Sequence, residues 1–424
     1  MQFKKLAALV LSCCVLASCA GRGAGSDTTS PTPSDSVKND FTAVPTPDAS
    51  APAHPQPPAA KGAYQAMWVS YLEWKALDTT GEAAFTQSVG TLLDNCKDIG
   101  LNRVIVQVRP FADAIYKTDK FPWSHIITGV QGKDPGYDPF AIFVSEAHAR
   151  GLAIEAWFNP YRIRLNGKTP ETLADNSIAT QHPEWVKTVG DGMYLNPASA
   201  AVRAYIIDGV CEVVQNYDID GVQFDDYFYP TTNADFDAAE FAAEGKGKTL
   251  AEWRRENVNT LVKETYAAIK ALRPELVFGI SPQGNNDNNY NEQYSDVRLW
   301  LQTPGYVDYV MPQLYWGFEY LTKSGRTDFQ FAKLVQDWSA YPRHSSVSLH
   351  IGLGAYRIGI GDGGANDQSE WQSGENLAKQ IKLLQSADGV HGFSLYRYDN
   401  LFNAGEYAAK AQQEAAAIKA ALLP

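Results

Sequence analysis

RVIVQVR, residues 103–109, decides the fold. Val104, Val106 and Val108 share one parity of a strand, while Gln107 and Arg109 share the other. Successive side chains of a strand point to opposite faces, so an apolar parity packed on helices leaves the polar parity facing a second interior. Seven more short runs read the same way: AMWVSY (66–71), LAIEAWFN (152–159), IDGVQFD (219–225), LVFGIS (276–281), VDYVMPQLY (307–315), LHIGLGA (349–355) and VHGFSLY (390–396). Longer helical patterns separate them. Eight such βα units predict an α/β fold, a closed (β/α)8 barrel of the TIM type with long strand-to-helix loops.

The inner parity is polar in six strands. It carries Gln107 and Arg109, Glu155, Trp157 and Asn159, Gln223 and Asp225, Ser281, Gln313 and Tyr315, and Ser394 and Tyr396. Helix-to-strand connections such as Gly100-Leu101 and Gly151-Leu152 are short, whereas 160–198 and 227–248 are long strand-to-helix loops. Barrel enzymes keep their sites at the C-terminal strand ends, so Arg109, Asn159, Asp225, Ser281, Tyr315 and Tyr396 are expected at the mouth. Glu155, deeper inside, is expected to be a buried partner of Arg109, because an unpaired interior carboxylate is costly. The helical pattern over 404–421 reads as the eighth barrel helix, and 63–424 as one domain.

The N-terminus carries Lys4 and Lys5, a short apolar run, and then Leu16-Ala17-Ser18-Cys19. That resembles a lipoprotein signal peptide over 1–18, with Cys19 the lipidated first residue. The Pro/Ser/Thr/Ala-rich stretch to residue 62 lacks the apolar content to fold and reads as a disordered tether over 19–62. By resemblance to enterobacterial lipoproteins, Ala20 after the cysteine favours a cell-envelope protein anchored by lipid in the outer membrane. Beyond the leader, Cys96 and Cys211 lie in apolar helical patterns and are expected as buried free thiols. A formal charge of −12 argues against nucleic acid as a partner. The 12% aromatic content exceeds what a core alone uses, and flat rings suit the apolar faces of sugars. Seven histidines and no HxH on the first strand leave a metal-dependent deacetylase without ligands, so no metal or cofactor is expected.

GVQFDDYFYP (221–230) places Asp225 on the inner parity at the end of the fourth strand. Asp226 has the opposite parity, and is expected to begin the loop or face its packing. A lone aspartate at a strand end is commonly a cap or turn residue. Asp225 instead shares its parity with other polar mouth residues and precedes a run of aromatics. Glycosidic hydrolysis needs a proton donor to the leaving oxygen and a second group acting at the anomeric centre.

Together with MWVSYLEW, VIVQVRPFADAIY, AWFNPYR, MPQLYWG and HGFSLYRY, this stretch resembles the motifs of the glycosyl-hydrolase-10-like (DUF187) family of bacterial lipoproteins. The resemblance covers nearly the whole region after the tether. It implies a barrel glycosidase acting on peptidoglycan strands stripped of stem peptides. Carried over residue by residue, it places Glu73, Arg109, Asp113, Asn159, Arg162, Gln313, Tyr315 and Trp316 in a cleft with the catalytic candidates Asp225 and Asp226. Tyr396 at the eighth strand end and Arg357, a cation suited to a lactyl carboxylate or to a loop acid, complete the candidate binding residues.

The chain departs from better-known glycosidase barrels in two ways. LHIGLGAYR offers no acid at the seventh strand end, only His350 and Arg357. The fourth strand resembles the DGxDxDxE pattern of chitinase-like barrels, yet Gln223 and Tyr227 stand where that pattern has Asp and Glu. Asp225 is therefore read as general acid or electrostatic stabiliser, partnered by Asp226, Asp113 or Glu73. An inverting pair needs carboxyls about 6.5–9.5 Å apart and a retaining pair about 5–5.5 Å. The competing readings are a tethered glycan-binding lipoprotein without turnover and a glycosidase for another polysaccharide.

Overall fold

A computed structural model describes residues 63–423. The leader, Cys19 and the tether lie outside the described residues. Eight parallel staves form the barrel: Tyr64–Val69, Arg103–Arg109, Ala153–Phe158, Gly221–Phe224, Val277–Ile280, Tyr309–Val310 continued by Gln313–Leu314, Ser348–Gly354 and Val390–Tyr396. The first stave pairs with both the second and the eighth, and the sixth pairs with the fifth and the seventh, which closes the ring. Pro312 falls in the gap of the sixth stave, where a residue without an N–H interrupts the ladder.

Each strand is followed by a helix that covers its outer face. Two of the longest, Ala200–Asn216 and Leu250–Leu272, start on hydroxyl caps. Ser199 accepts from the Val202 N–H, and Thr249 forms a capping box with Glu252. These side chains satisfy amide groups that the first helical turn leaves without partners. Val104, Val106 and Val108, with Val222 and Phe224, are fully buried in the layer between barrel and helices. A separate cluster of Ala66, Trp68, Ile105, Trp157, Tyr309 and Met311 fills the barrel itself. Cys96 and Cys211 are buried free thiols, as expected.

The long loop after the third strand holds structure that the sequence pattern did not reveal. Arg162–Arg164, Val186–Val189 and Gly192–Leu195 form a small antiparallel sheet, with the last of these in the middle.

One register detail overturns an expectation. Between Gln107 and Arg109 the second strand is bulged, so that Gln107 pairs with Trp157 but Arg109 pairs with Phe158. A bulge inserts one residue and reverses the parity beyond it. Arg109 therefore leaves the inner face and packs outward, its guanidinium 4.1 Å from the Phe121 ring centroid and 4.9 Å from that of Tyr205. Gly209 on the facing helix makes room, since a Cβ there would lie 2.3 Å from an Arg109 nitrogen.

The expected Glu155–Arg109 pair consequently does not form. Glu155 sits deep in the barrel, where its Oε1 accepts from Arg103 at 2.9 Å and from the Tyr64 hydroxyl at 2.9 Å. Its Oε2 accepts from the Tyr309 hydroxyl at 2.6 Å. The network continues upward, with Gln223 Nε2 donating to Tyr309 at 2.8 Å and Trp68 Nε1 donating to Gln223 Oε1 at 2.6 Å. The barrel is a packed, hydrogen-bonded plug with its open chemistry confined to the mouth. Glu155→Ala strands the Arg103 cation and two tyrosine hydroxyls, so it should destabilise the protein by about 3 kcal/mol or more in a denaturant titration.

Candidate active site

The fourth strand ends at Phe224, and the chain turns at the two aspartates. Asp225 is 4% exposed and Asp226 5%. Asp225 turns toward the third strand. Trp157 Nε1 donates to its Oδ2 at 3.2 Å and Asn159 Nδ2 donates to the same oxygen at 3.0 Å. Both donors share the inner parity of that strand, two residues apart, which is why they converge on one atom. Asp225 Oδ1 accepts only a long contact, 3.4 Å, from the Tyr227 amide. Burial, then the charge of Asp226, pushes the Asp225 pKa up to about 7, against the pull of Arg162 and the Trp157 hydrogen bond. A carboxyl that holds its proton near neutral pH, with one oxygen engaged and the other lightly held, is suited to donate that proton.

Asp226 turns the other way, toward the fifth and sixth strands. Its Oδ2 accepts from Gln293 Nε2 at 3.1 Å and its Oδ1 from Gln313 Nε2 at 3.0 Å. Gln313 is itself held by the Ser281 carbonyl at 3.0 Å. Burial raises the Asp226 pKa, while the amides of Gln293, Gln313 and Gln283 draw it back. N–H donors on both oxygens favour the ionised form and so oppose, without cancelling, the rise that burial causes. Asp226 does lie in the loop that begins after Phe224, as one of its two expected placements has it, and its carboxylate is held by Gln293 and Gln313 rather than facing loop packing.

Aromatic rings wall the rest of the mouth. Tyr315 and Tyr396 stack at 5.6 Å with 15° between their planes, and Tyr356 meets both edge-on at 5.4 and 5.8 Å. Tyr227, next to the aspartates, is 53% exposed. Burial, then Tyr396 and Tyr356, and then Asp226 and Tyr227 push the Tyr315 phenol up, so these groups lie near one another. Partly exposed flat rings near the buried carboxyls suit the apolar faces of pyranose rings.

Residues 66–373 match the family described as glycosyl hydrolase-like 10. The chain belongs to that family. It is 38% identical over 351 residues to glycosyl hydrolase YngK of Bacillus subtilis, covering 77% of this chain and 66% of that one. It is 31% identical over 393 residues to glycosyl hydrolase DigH of Escherichia coli K12, covering 82% and 87%. The chain thus spans slightly under two thirds of the Bacillus relative's length and most of the Escherichia one's. Among solved structures, it resembles the catalytic domain of a Paenibacillus polymyxa beta-amylase, with a TM-score of 0.55 and 13% identity, over 86% of this chain and all of that one. It also resembles the glycoside hydrolase domain of PgaB (BpsB) from Bordetella bronchiseptica, with a TM-score of 0.53 and 14% identity, over 83% and 99%. At such identities the structural likeness shows the fold, a (β/α)8 barrel.

In this glycosyl hydrolase-like 10 chain the other candidate residues separate into three groups, with Trp316 and Arg357 apart from the first two. Asn159, Arg162, Gln313, Tyr315 and Tyr396 gather with the aspartates. Three others do not. Arg109 faces the helices, as described. Asp113 is fully buried in the loop after the second strand, held by Gln131 Nε2 at 3.1 Å with His125 Nδ1 at 3.6 Å. Glu73 is committed twice, as the reciprocal member of the Ser70 capping box and as the ion-pair partner of Arg397. Neither acid is left as a partner for Asp225, so the constellation is Asp225 with Asp226. Trp316 packs against Phe329 at 5.1 Å and Tyr320 at 6.1 Å, as part of the rim. Arg357 lies over the Tyr356 ring at 4.5 Å and donates to the Gly361 carbonyl at 3.3 Å, with no carboxylate in ion-pair range among the described residues.

Sequence reading missed Trp157 as a donor to Asp225, Gln293 and Gln283 as holders of Asp226, and Tyr227 and Tyr356 as wall residues. Trp157 had a signal, the parity it shares with Asn159. Gln293 arrives on a loop, where no periodicity marks it.

Proposed function

We propose that this chain hydrolyses glycosidic bonds in bacterial cell-wall glycan, namely peptidoglycan strands lacking stem peptides, from a lipid anchor at Cys19 in the cell envelope, with 19–62 as its tether. The observation that carries the reaction is the unequal setting of the two aspartates. Asp225 gives the proton on its lightly held Oδ1 to the glycosidic oxygen as the bond from that oxygen to the anomeric carbon breaks. Asp226, acting as the carboxylate that its glutamine amide donors favour, stabilises the positive charge that develops at the anomeric carbon. A water adds there and returns a proton to the Asp225 carboxylate, so that the acid is restored. Trp157 and Asn159 fix the Asp225 carboxyl in one orientation, and Tyr315, Tyr396 and Tyr227 carry the flanking sugars. The relatives' naming as glycosyl hydrolases supports the reaction class. The wall-glycan substrate rests on the motif resemblance.

Mass spectrometry of products from intact and amidase-stripped sacculi tests the proposal. Muropeptide-free oligosaccharides with new reducing ends should appear from stripped sacculi alone, and Asp225→Asn should yield none. No product from either source would replace hydrolysis by a binding role or a different polysaccharide.

A further inference from the structure

Arg162 is 7% exposed, yet among the described residues no carboxylate lies within ion-pair distance of it. The other deeply buried arginines differ. Arg103 pairs with Glu155 inside the barrel, and Arg254 pairs with Asp237 beneath the fourth loop. Arg109, also without an acid, faces the helices, away from the cleft. Taking a guanidinium out of water without a counter-charge is expensive.

The side chain is fixed in place. Its Nε donates to the Pro110 carbonyl at 3.0 Å, and its backbone N–H donates to Asn159 Oδ1 at 3.1 Å. That same Asn159 holds Asp225 through its Nδ2. The guanidinium lies 4.7 Å from the Phe111 ring, 5.6 Å from Tyr227 and 5.7 Å from Tyr71. Its two terminal nitrogens, the fork that engages an anion in two-point fashion, donate to no group among the described residues. The cation also lies close enough to Asp225 to pull on its proton, and beside the exposed Tyr227 ring on which a sugar would rest.

We propose that the Arg162 fork receives a carboxylate carried by the sugar bound next to the scissile bond, so that the cleft selects acidic glycan over neutral or amide-blocked glycan. This rests on the reading of the mouth as a wall-glycan hydrolase and adds what that site recognises. In such glycan the free lactyl carboxylate is the acid that stem peptides would otherwise block as an amide. An anion on Arg162 also cancels the pull on Asp225, so the proton donor keeps its proton to higher pH when the acidic substrate is bound.

The experiment compares oligosaccharides of alternating amino sugars whose lactyl groups are free acids with the same oligosaccharides as methyl amides. Wild type should favour the acid by about 10- to 100-fold in kcat/KM, mainly through KM, the range of a charge-assisted hydrogen-bonded contact. Arg162→Gln should lose that preference, and Arg162→Lys should keep part of it. The alkaline limb of the kcat profile should lie higher for the acid than for the amide in wild type and coincide in Arg162→Gln. Equal turnover of acid and amide by wild type overturns the inference while leaving the hydrolase reading intact. So does a loss in Arg162→Gln that is the same for both substrates, the mark of a residue that only holds Asn159 and Asp225. Turnover of neither substrate by wild type overturns the hydrolase reading itself.

Discussion

Asp225→Asn should reduce kcat on wall glycan by about 10³-fold or more, within or above the range for loss of a positioned acid. The amide oxygen can still accept from Trp157 and Asn159, as the carboxyl Oδ2 does at 3.2 and 3.0 Å, so the pocket keeps its shape. Binding should therefore survive, and the loss should appear in kcat with KM nearly unchanged. The wild-type rate has a matching pH signature. With the acid at about 7, kcat falls as pH rises through that value, and Asp225→Asn has no such limb. Stability also falls with rising pH, over a lower range. A carboxyl whose pKa is raised from 3.8 to about 7 on folding binds its proton more tightly in the native state. Native stability thus drops as pH climbs from 4 to 7, and above 7 the full penalty, about 4 kcal/mol, is in place. Asp225→Asn removes that penalty. The inactive variant should melt higher than wild type at pH 8 and equally near pH 3.5, and a lower melting temperature at pH 8 would show that Asp225 is a structural residue.

The barrel was legible because two signals agree along each strand. The second and eighth strands, 103–109 and 390–396, coincide with the sequence reading, since alternation of Val with polar residues has one solution when helices cover one face. The polar inner parity located Asp225, Asn159, Gln313, Tyr315 and Tyr396 at one end for the same reason. The reading failed where the backbone leaves regular geometry. A one-residue bulge turned Arg109 to the helices, and nothing in RVIVQVR encodes which residue bulges. Asp226 begins the loop, as one of its two readings had it, but parity could not say that its carboxylate turns to Gln293 and Gln313. Glu73 had a readable local signature, since Ser70 and Glu73 have the spacing of a capping box, and that local role outweighed its place beside a strand end. Asp113 depends on His125 and Gln131, partners brought by a loop with no period to read.

Asp226→Asn should also be disabling, by about 10²- to 10³-fold in kcat, the cost of removing a preorganised charge from the developing cation. Its second effect separates it from Asp225→Asn. Asp226 is the second cause, after burial, of the raised Asp225 pKa. Removing that negative charge makes ionisation of Asp225 easier, so its pKa must fall and the residual activity must lose its alkaline limb at lower pH than wild type. The substitution is sterically mild, because the new amide oxygen can accept from Gln313 or Gln293 and a flip of the other glutamine amide turns its oxygen toward the new NH2. Asp226→Ala leaves those glutamine donors without their anion and should be less stable than Asp226→Asn, yet show the same acid shift. If the alkaline limb of both variants stays at the wild-type position, the two carboxyls do not sense each other, and the division into a protonated Asp225 and an ionised Asp226 is wrong. If the limb moves down in both while kcat falls, the adjacency of the two aspartates is what keeps the acid protonated at neutral pH.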